Sequence, residues 1–253
     1  MTFVDLAWWI NEHFPLIHTA LFRNPMRHHS PHNVFTALLS LCACAFFAGE
    51  SAAQTTGPYF VEANIGHGEA EFEPTYYFVD GAPPKTYADK GKGSVATFRV
   101  GYSKPLLGAL TLDLSADLIY QQTDFTLFLS NEPAALKYEV PLTLGLIASP
   151  TWQLNSQWRL FAEAGVASGN TQFSKSQSPR SNYNFDEWTP GLLVGAGVAY
   201  RLNPQFEVTA SYRAIQYDEV SFKSYHPTTG AHVETLYSDP RSTYGSVGLR
   251  YRF

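Results

Sequence analysis

The sequence of 253 residues has only two cysteines, Cys42 and Cys44, and both lie in one early apolar segment. The 200 residues after position 53 contain no cysteine, which excludes disulfide bonds from that part of the chain. Charged residues are also scarce, at 15% of the chain against roughly 25% in an average soluble domain. This scarcity of charge argues against an ordinary cytoplasmic enzyme.

Excess positive charge and long apolar runs are missing as well. After residue 53, 15 Lys and Arg stand against 19 Asp and Glu, a net charge of −4, so no nucleic-acid partner is expected. No apolar run reaches the roughly 20 residues that a membrane-spanning helix needs. Aromatic residues, in contrast, make up 15% of the chain. Together these features indicate an all-β protein with a large aromatic surface.

The early apolar segment has the layout of a secretory signal peptide. Arg27 supplies a positive charge, residues 34–48 form an apolar core of 15 residues, and Ala52 and Ala53 complete a small-residue cleavage site. We predict cleavage between Ala53 and Gln54 and translation from Met26. Residues 1–25 are then an upstream extension from a misassigned start, 26–53 the signal peptide, and 54–253 the mature domain.

After the signal peptide, apolar and polar residues alternate with a period of two, which is typical of β-strands. The clearest segment is 110–120, in which Leu112 and Leu114 alternate with Asp113 and Ser115. The other seven segments are 59–66, 96–102, 138–148, 159–166, 191–200, 206–213 and 246–253. This pattern predicts eight antiparallel strands.

The connections between these strands alternate in length. Short connections span 104–109, 150–158 and 202–205, whereas long ones span 69–93, 121–137, 169–188 and 218–242. Short turns at one end and long loops at the other are typical of barrels in the bacterial outer membrane. The predicted fold class is therefore all-β, an eight-stranded antiparallel up-and-down transmembrane β-barrel. Its closure would leave no unpaired strand edge in the bilayer.

The apolar faces of the strands are predicted to contact lipid, because aromatic residues cluster near their ends, as in interfacial girdles. These aromatic residues are Tyr59, Tyr102, Tyr120, Tyr138, Trp158, Tyr200, Phe206, Tyr212, Tyr251 and Phe253. The opposite faces carry Gly, Ser, Thr and charged residues. They predict a polar barrel interior.

Six acids and five arginines fall on the predicted interior faces. They are Glu62, Arg99, Asp113, Asp117, Glu139, Arg159, Glu163, Glu207, Arg213, Arg250 and Arg252. The interior of an eight-stranded barrel is just wide enough for side chains to fill it. Charges of opposite sign would pair there and form a polar plug; the alternative is a narrow or gated channel for small solutes.

The last segment, Tyr244-Gly245-Ser246-Val247-Gly248-Leu249-Arg250-Tyr251-Arg252-Phe253, resembles the closing strand of bacterial outer-membrane barrels. In those proteins a terminal Phe after alternating apolar residues is the assembly signal, which here corresponds to Val247, Leu249, Tyr251 and Phe253. With eight strands and four long loops, the mature chain resembles the small OmpA/OmpX/opacity-type family. The resemblance implies residence in the outer membrane of a Gram-negative-type bacterium. It also implies contact with outer-membrane lipid and lipopolysaccharide, and recognition by the barrel-assembly machinery.

We therefore expect a structural or surface-interaction role through four extracellular loops, without enzymatic activity. The first loop contains Tyr76, Tyr77, Phe78 and Tyr87, and the third contains Tyr183, Phe185 and Trp188. Exposed aromatic residues can anchor a surface ligand. They can equally extend the strand hairpins above the membrane, and both interpretations remain open here.

A lipid A-modifying enzyme is the third alternative. Lipid A deacylases use a His-x-Ser pair on a lipid-facing strand, but none of the three histidines after residue 53 stands in such a pair. His67 and Ser94 point outward on neighbouring strands, where a rim position is the simpler interpretation. His226 and His232 share the fourth loop with four acids at no fixed metal-ligand spacing. No catalytic, cofactor-binding or metal site is predicted.

Overall fold

The computed structural model describes residues 57–86, 88–123, 125–128, 135–176, 183–226 and 228–253. The proposed extension 1–25, the signal peptide 26–53 and its cleavage point lie outside these residues. Within them, no helix is both long and apolar enough to cross a membrane.

The described residues form fourteen β-strands. In chain order they are β1 (Tyr59–Phe72), β2 (Thr75–Phe78), β3 (Lys85–Thr86), β4 (Asp89–Pro105), β5 (Leu110–Gln122), β6 (Phe125–Phe128), β7 (Ala135–Glu139), β8 (Leu142–Gln153), β9 (Trp158–Ser176), β10 (Tyr183–Arg201), β11 (Phe206–Tyr217), β12 (Val220–Tyr225), β13 (His232–Ser238) and β14 (Arg241–Arg252).

Eight of these strands close into an antiparallel barrel. Their order around the wall is β1-β4-β5-β8-β9-β10-β11-β14, and β14 pairs with β1 along a seam that runs from Phe60↔Arg252 to Glu71↔Arg241. Each strand therefore neighbours the wall strands that precede and follow it in sequence, and the first and last strands meet. The predicted fold class is confirmed.

Alternation places polar side chains inside the barrel and apolar ones outside. In β1, Glu62 and Asn64 are buried in the interior, whereas the Ile65 side chain points outward and is 61% exposed. In β5, Asp113 and Asp117 are likewise buried. A strand whose side chains alternate in this way can face lipid on one side and a filled interior on the other.

The predicted faces of segment 138–148 are wrong at its start. Glu139 pairs with Gln172 of β9, but Thr143 pairs with Gly169, so one extra residue is inserted between β7 and β8. Pro141 lies in this insertion and cannot donate a backbone hydrogen bond. One extra residue reverses the two faces of a strand. Tyr138, predicted to lie in the outer girdle, is therefore buried inside, and Glu139 points outward.

Much of the predicted loop sequence also forms strands. Four wall strands extend beyond the apolar band, so that segment 169–188 lies largely in β9 and β10, and the two ends of segment 69–93 lie in β1 and β4. The first and fourth long connections contribute a separate four-stranded sheet in the order β12-β13-β2-β3. The prediction that these segments are loops is wrong because their outward residues are polar while alternation continues. In β1, for example, Glu69 and Glu71 alternate with buried Ala70 and Phe72.

Candidate functional site: the barrel interior

A four-residue ion network crosses the middle of the barrel. Arg99 on β4 donates from Nε to Asp117 Oδ1 at 2.7 Å and from Nη1 to Glu163 Oε1 at 2.8 Å. From the opposite wall, Arg213 donates from Nε to Glu163 Oε2 at 2.6 Å and from Nη1 to Asp117 Oδ2 at 3.2 Å. All four side chains are almost completely buried. Two arginines thus clamp two carboxylates across the lumen, and every charge is compensated.

A second ion network lies nearer the end of the barrel that has the short turns. Arg250 on β14 donates to Glu62 Oε2 at 2.7 Å, which closes the seam on the inside, and to Asp113 Oδ2 at 2.7 Å. Glu207 accepts from Arg159 and also lies 3.3 Å from Arg252 Nε. The guanidinium of Arg250 stacks over the ring of Phe60, 4.2 Å from its centroid. Charge and aromatic surface together fill this section.

The structure brings together ten of the eleven predicted interior charges. They are Glu62, Arg99, Asp113, Asp117, Arg159, Glu163, Glu207, Arg213, Arg250 and Arg252. The placement of Glu139 in the interior is wrong, because the inserted residue turns it outward, where it pairs with Lys137 at 2.9 Å. Arg201, which follows the predicted strand 191–200, is a member that was missed, with its Nε 3.5 Å from Glu207. Extending the alternation by one residue would have found it.

These two changes reverse the charge balance of the interior. The prediction had six acids and five arginines, whereas the two networks contain five acids and six arginines. The interior therefore has one more arginine than acids, and the additional arginine, Arg201, lies at the end with the short turns.

In the upper half of the interior, towards the long connections, aromatic and aliphatic side chains predominate, although buried Gln121, Thr143 and Ser242 are polar. The prediction of a polar interior is therefore wrong for most of this half. Phe72 stacks on Tyr138 with 4.3 Å between ring centroids and lies 5.1 Å from Phe173. Phe222 of β12 continues this group at 4.9 Å from Phe173. Buried Ile119, Leu193 and Ile215 lie in the same core. We call this group, which contains Phe72, Tyr138, Phe173 and Phe222, the aromatic cap.

Of the aromatic residues in the long connections, some are buried in the extended hairpins and others are exposed and available for a surface ligand. Tyr76 is buried in the core, and Phe78 and Phe185 pack against it. Tyr77 and Trp188 are about half exposed, at 49% and 48%. Tyr87 lies outside the described residues, and the side chain of Tyr183 is not described. A period of two explains this division in β2, where inward Tyr76 and Phe78 flank outward Tyr77.

The residues of the predicted assembly signal line the outer face of β14. Val247 is 56% exposed and Phe253 45% exposed. The rings of Tyr251 and Phe253 meet edge to face at 5.1 Å, and the Phe253 amide donates to the Tyr59 carbonyl at 3.1 Å. On the far side, the ring of Phe206 packs at a tilt against Tyr251, with the centroids 5.0 Å apart. These rings form a girdle at the end of the barrel where the short turns lie.

The outer surface above the apolar band carries ion pairs. Lys90 lies 3.0 Å from Glu71 and 3.6 Å from Glu69, and its hydrogen bond to Glu71 raises the pKa of the lysine. His67 and Ser94 are direct cross-strand partners on this face. No hydrogen bond joins the two side chains in the described part of the chain. Within the described ranges, no group of three or more His, Cys, Asp or Glu could hold a metal ion.

Comparison with known proteins extends these observations. In solved structures, the chain is similar to Neisserial surface protein A (16% identity, TM-score 0.42, 79% of this chain and 100% of that one). It is also similar to Ail, the attachment invasion locus protein of Yersinia pestis (18%, 0.37, 77% and 98%), and to the outer membrane protease OmpT from Escherichia coli (9%, 0.44, 81% and 99%). No curated protein sequence matches the chain. Residues 36–253 match the family described as outer membrane protein beta-barrel domain, and the chain therefore belongs to that family.

Proposed function

We propose that this outer-membrane barrel is closed to solutes and has a structural or surface-interaction role through the loops at its extracellular end. The observation that carries the proposal is that side chains fill the lumen at two levels. The Arg99–Asp117–Glu163–Arg213 network spans the middle, and the aromatic cap lies above it. An eight-stranded wall leaves little room beyond its own side chains.

The outer sheet supports the surface-interaction part of the proposal. Tyr77 of β2 and Tyr237 of β13 meet edge to face at 5.5 Å, and both rings are partly exposed. Tyr225 of β12 is 50% exposed and packs against His232 at 5.7 Å. Exposed tyrosines on a sheet held by a buried core offer contact area at low entropic cost, a property of many binding surfaces.

Electrical conductance tests the closed lumen. The purified barrel inserted into planar lipid bilayers is expected to give no steady current, because ion-paired and aromatic side chains leave no continuous water path. A porin of roughly 16 strands, measured in the same bilayers, serves as the positive control. A steady current with solute selectivity would contradict the proposal and favour the narrow-channel alternative.

The absence of enzymatic activity has a separate test. The lipid A mass profile of cells that produce the protein should be identical to that of cells that lack it. Cells producing His67→Ala provide a matched control. A lipid A species that depends on the wild-type protein and disappears in H67A would overturn the non-enzymatic role and assign catalysis to the His67–Ser94 face.

A further inference from the structure

The end of the barrel with the short turns opens into a cavity lined by three arginines. Its volume is about 620 Å³, and Arg159, Arg201 and Arg252 line it together with Ser103, Gln153 and Gln157. In bacterial outer-membrane barrels the end with the short turns faces the periplasm. We call this cavity, defined by the three arginines, the periplasmic mouth.

All three arginines of the periplasmic mouth form ion pairs with the same carboxylate, that of Glu207. Arg159 Nη2 donates to Glu207 Oε2, whereas Arg201 Nε and Arg252 Nε lie 3.5 Å and 3.3 Å from Glu207 Oε1. A guanidinium has five N–H donors, and a carboxylate has about four acceptor sites. The donors of three arginines therefore exceed what Glu207 can accept. Arg252 donates from Nη1 to Ser103 Oγ at 2.8 Å. Its Nε and Nη2, and Nε of Arg159, are buried and make no hydrogen bond, although Arg252 Nε lies within ion-pair distance of Glu207.

The charge around the periplasmic mouth is also unbalanced. The network at this end contains four arginines, Arg159, Arg201, Arg250 and Arg252, and three acids, Glu62, Asp113 and Glu207, which leaves a surplus of +1. The turns 104–109, 154–157 and 202–205 contain no Asp or Glu. Buried and half-buried positive charge that lacks a partner is costly, which favours binding of an anion.

We propose that the periplasmic mouth binds an oxyanion of the phosphate class between Arg159, Arg201 and Arg252. Planar guanidinium groups donate in pairs to phosphate oxygens, and such charge-assisted bonds are the stronger hydrogen bonds of proteins. The surplus of +1 attracts an anion, and a phosphate has enough oxygens to accept from the nitrogens of Arg159 and Arg252 that make no hydrogen bond and from Arg201 at the same time. The amides of Gln153 and Gln157 are further polar groups on the cavity wall, whereas the Ser103 hydroxyl already donates to Asp113 and accepts from Arg252. This site is independent of the loops at the other end of the barrel.

Phosphate binding to the full protein tests the proposal. Protein extracted from outer membranes into a neutral detergent is titrated with inorganic phosphate at pH 7 and constant ionic strength, with chloride as the balancing anion. Phosphorus NMR or calorimetry should give saturable binding of one phosphate per barrel. Acetate should bind at least about tenfold more weakly, because its two oxygens can accept from fewer of the guanidinium donors than the oxygens of a phosphate.

Two variants locate the binding site. Arg201→Gln removes a half-buried rim arginine and should raise the phosphate Kd about tenfold or more, since a lost charged hydrogen bond is worth roughly 1.5–3 kcal/mol. Lys104→Gln removes the same charge from an outward, exposed position of the same end and should change the Kd less than about twofold. Gel mobility before and after heating verifies that both variants are folded.

Three outcomes would overturn the proposal. Phosphate binding no tighter than that of chloride would mean that the periplasmic mouth is simply solvated. Equal weakening by R201Q and K104Q would indicate diffuse attraction to a positive end rather than a site. Acetate binding as tight as that of phosphate would exclude the phosphate class as the preferred ligand.

Discussion

Replacing Arg99 by alanine should lower the free energy of unfolding of the barrel by about 3–5 kcal/mol. The substitution leaves Asp117 and Glu163 buried with Arg213 as their remaining cation in this network. Removing one partner of a buried ion pair costs this much because the other charge stays uncompensated in a poorly polarisable environment. Denaturant titration in lipid vesicles, with the folded fraction read from gel mobility, measures the change.

Lys90→Ala is the matched control for this experiment. Lys90 also pairs with two acids, but on the outer surface above the apolar band, where its side chain is 49% exposed. Exposed ion pairs contribute little, so we expect a loss below about 1 kcal/mol. A change in R99A as small as that in K90A would mean that water reaches the central network, which would support the narrow-channel alternative.

Phe72→Ala should destabilise the upper half of the barrel by about 3–5 kcal/mol. Phe72 is 2% exposed, and its ring contacts both Tyr138 and Phe173, so truncation opens a cavity in the centre of the aromatic cap. Because Phe222 of β12 packs on Phe173, we also expect the outer four-stranded sheet to become sensitive to protease. Denaturant titration and limited proteolysis of intact cells measure the two effects.

Tyr77→Ala provides the comparison for the aromatic cap. It removes an aromatic ring of similar size five residues further along the chain, but this ring is 49% exposed on the outer sheet. Its removal should cost less than about 1 kcal/mol and leave protease resistance unchanged. Equal losses in the two variants would show that the aromatic cap does not stabilise the outer sheet.

The barrel could be predicted from the sequence because its signal is local. In 110–120, Leu112 and Leu114 on the lipid side are each flanked by two polar residues, and such alternation is what a strand between lipid and a filled interior requires. Most of the ion network followed from the same alternation, since parity alone placed Glu62, Asp113 and Arg250 inside. No knowledge of their partners was needed for that step.

The remaining features depend on contacts that alternation does not encode. The residue inserted near Pro141 can be recognised only from the pairing of β7 and β8 with β9. It reverses the sides of the barrel wall to which Tyr138 and Glu139 point. The outer sheet pairs β2 with β13, whose partners Tyr76 and Leu236 are far apart in sequence. The aromatic cap could not be predicted either, because a phenylalanine in a loop and a phenylalanine in a core can have the same neighbours in the sequence.

The seam between β1 and β14 has a kinetic consequence. Glu62 and Arg250 are separated by 188 positions, so their contact requires the two ends of the barrel to find each other after the intervening hairpins have formed. Closing such a long loop is slow, because its entropic cost precedes the contacts that compensate it. Interactions that form after the transition state govern the unfolding rate rather than the folding rate. We therefore expect the Glu62–Arg250 pair to slow the unfolding of the closed barrel without accelerating its folding.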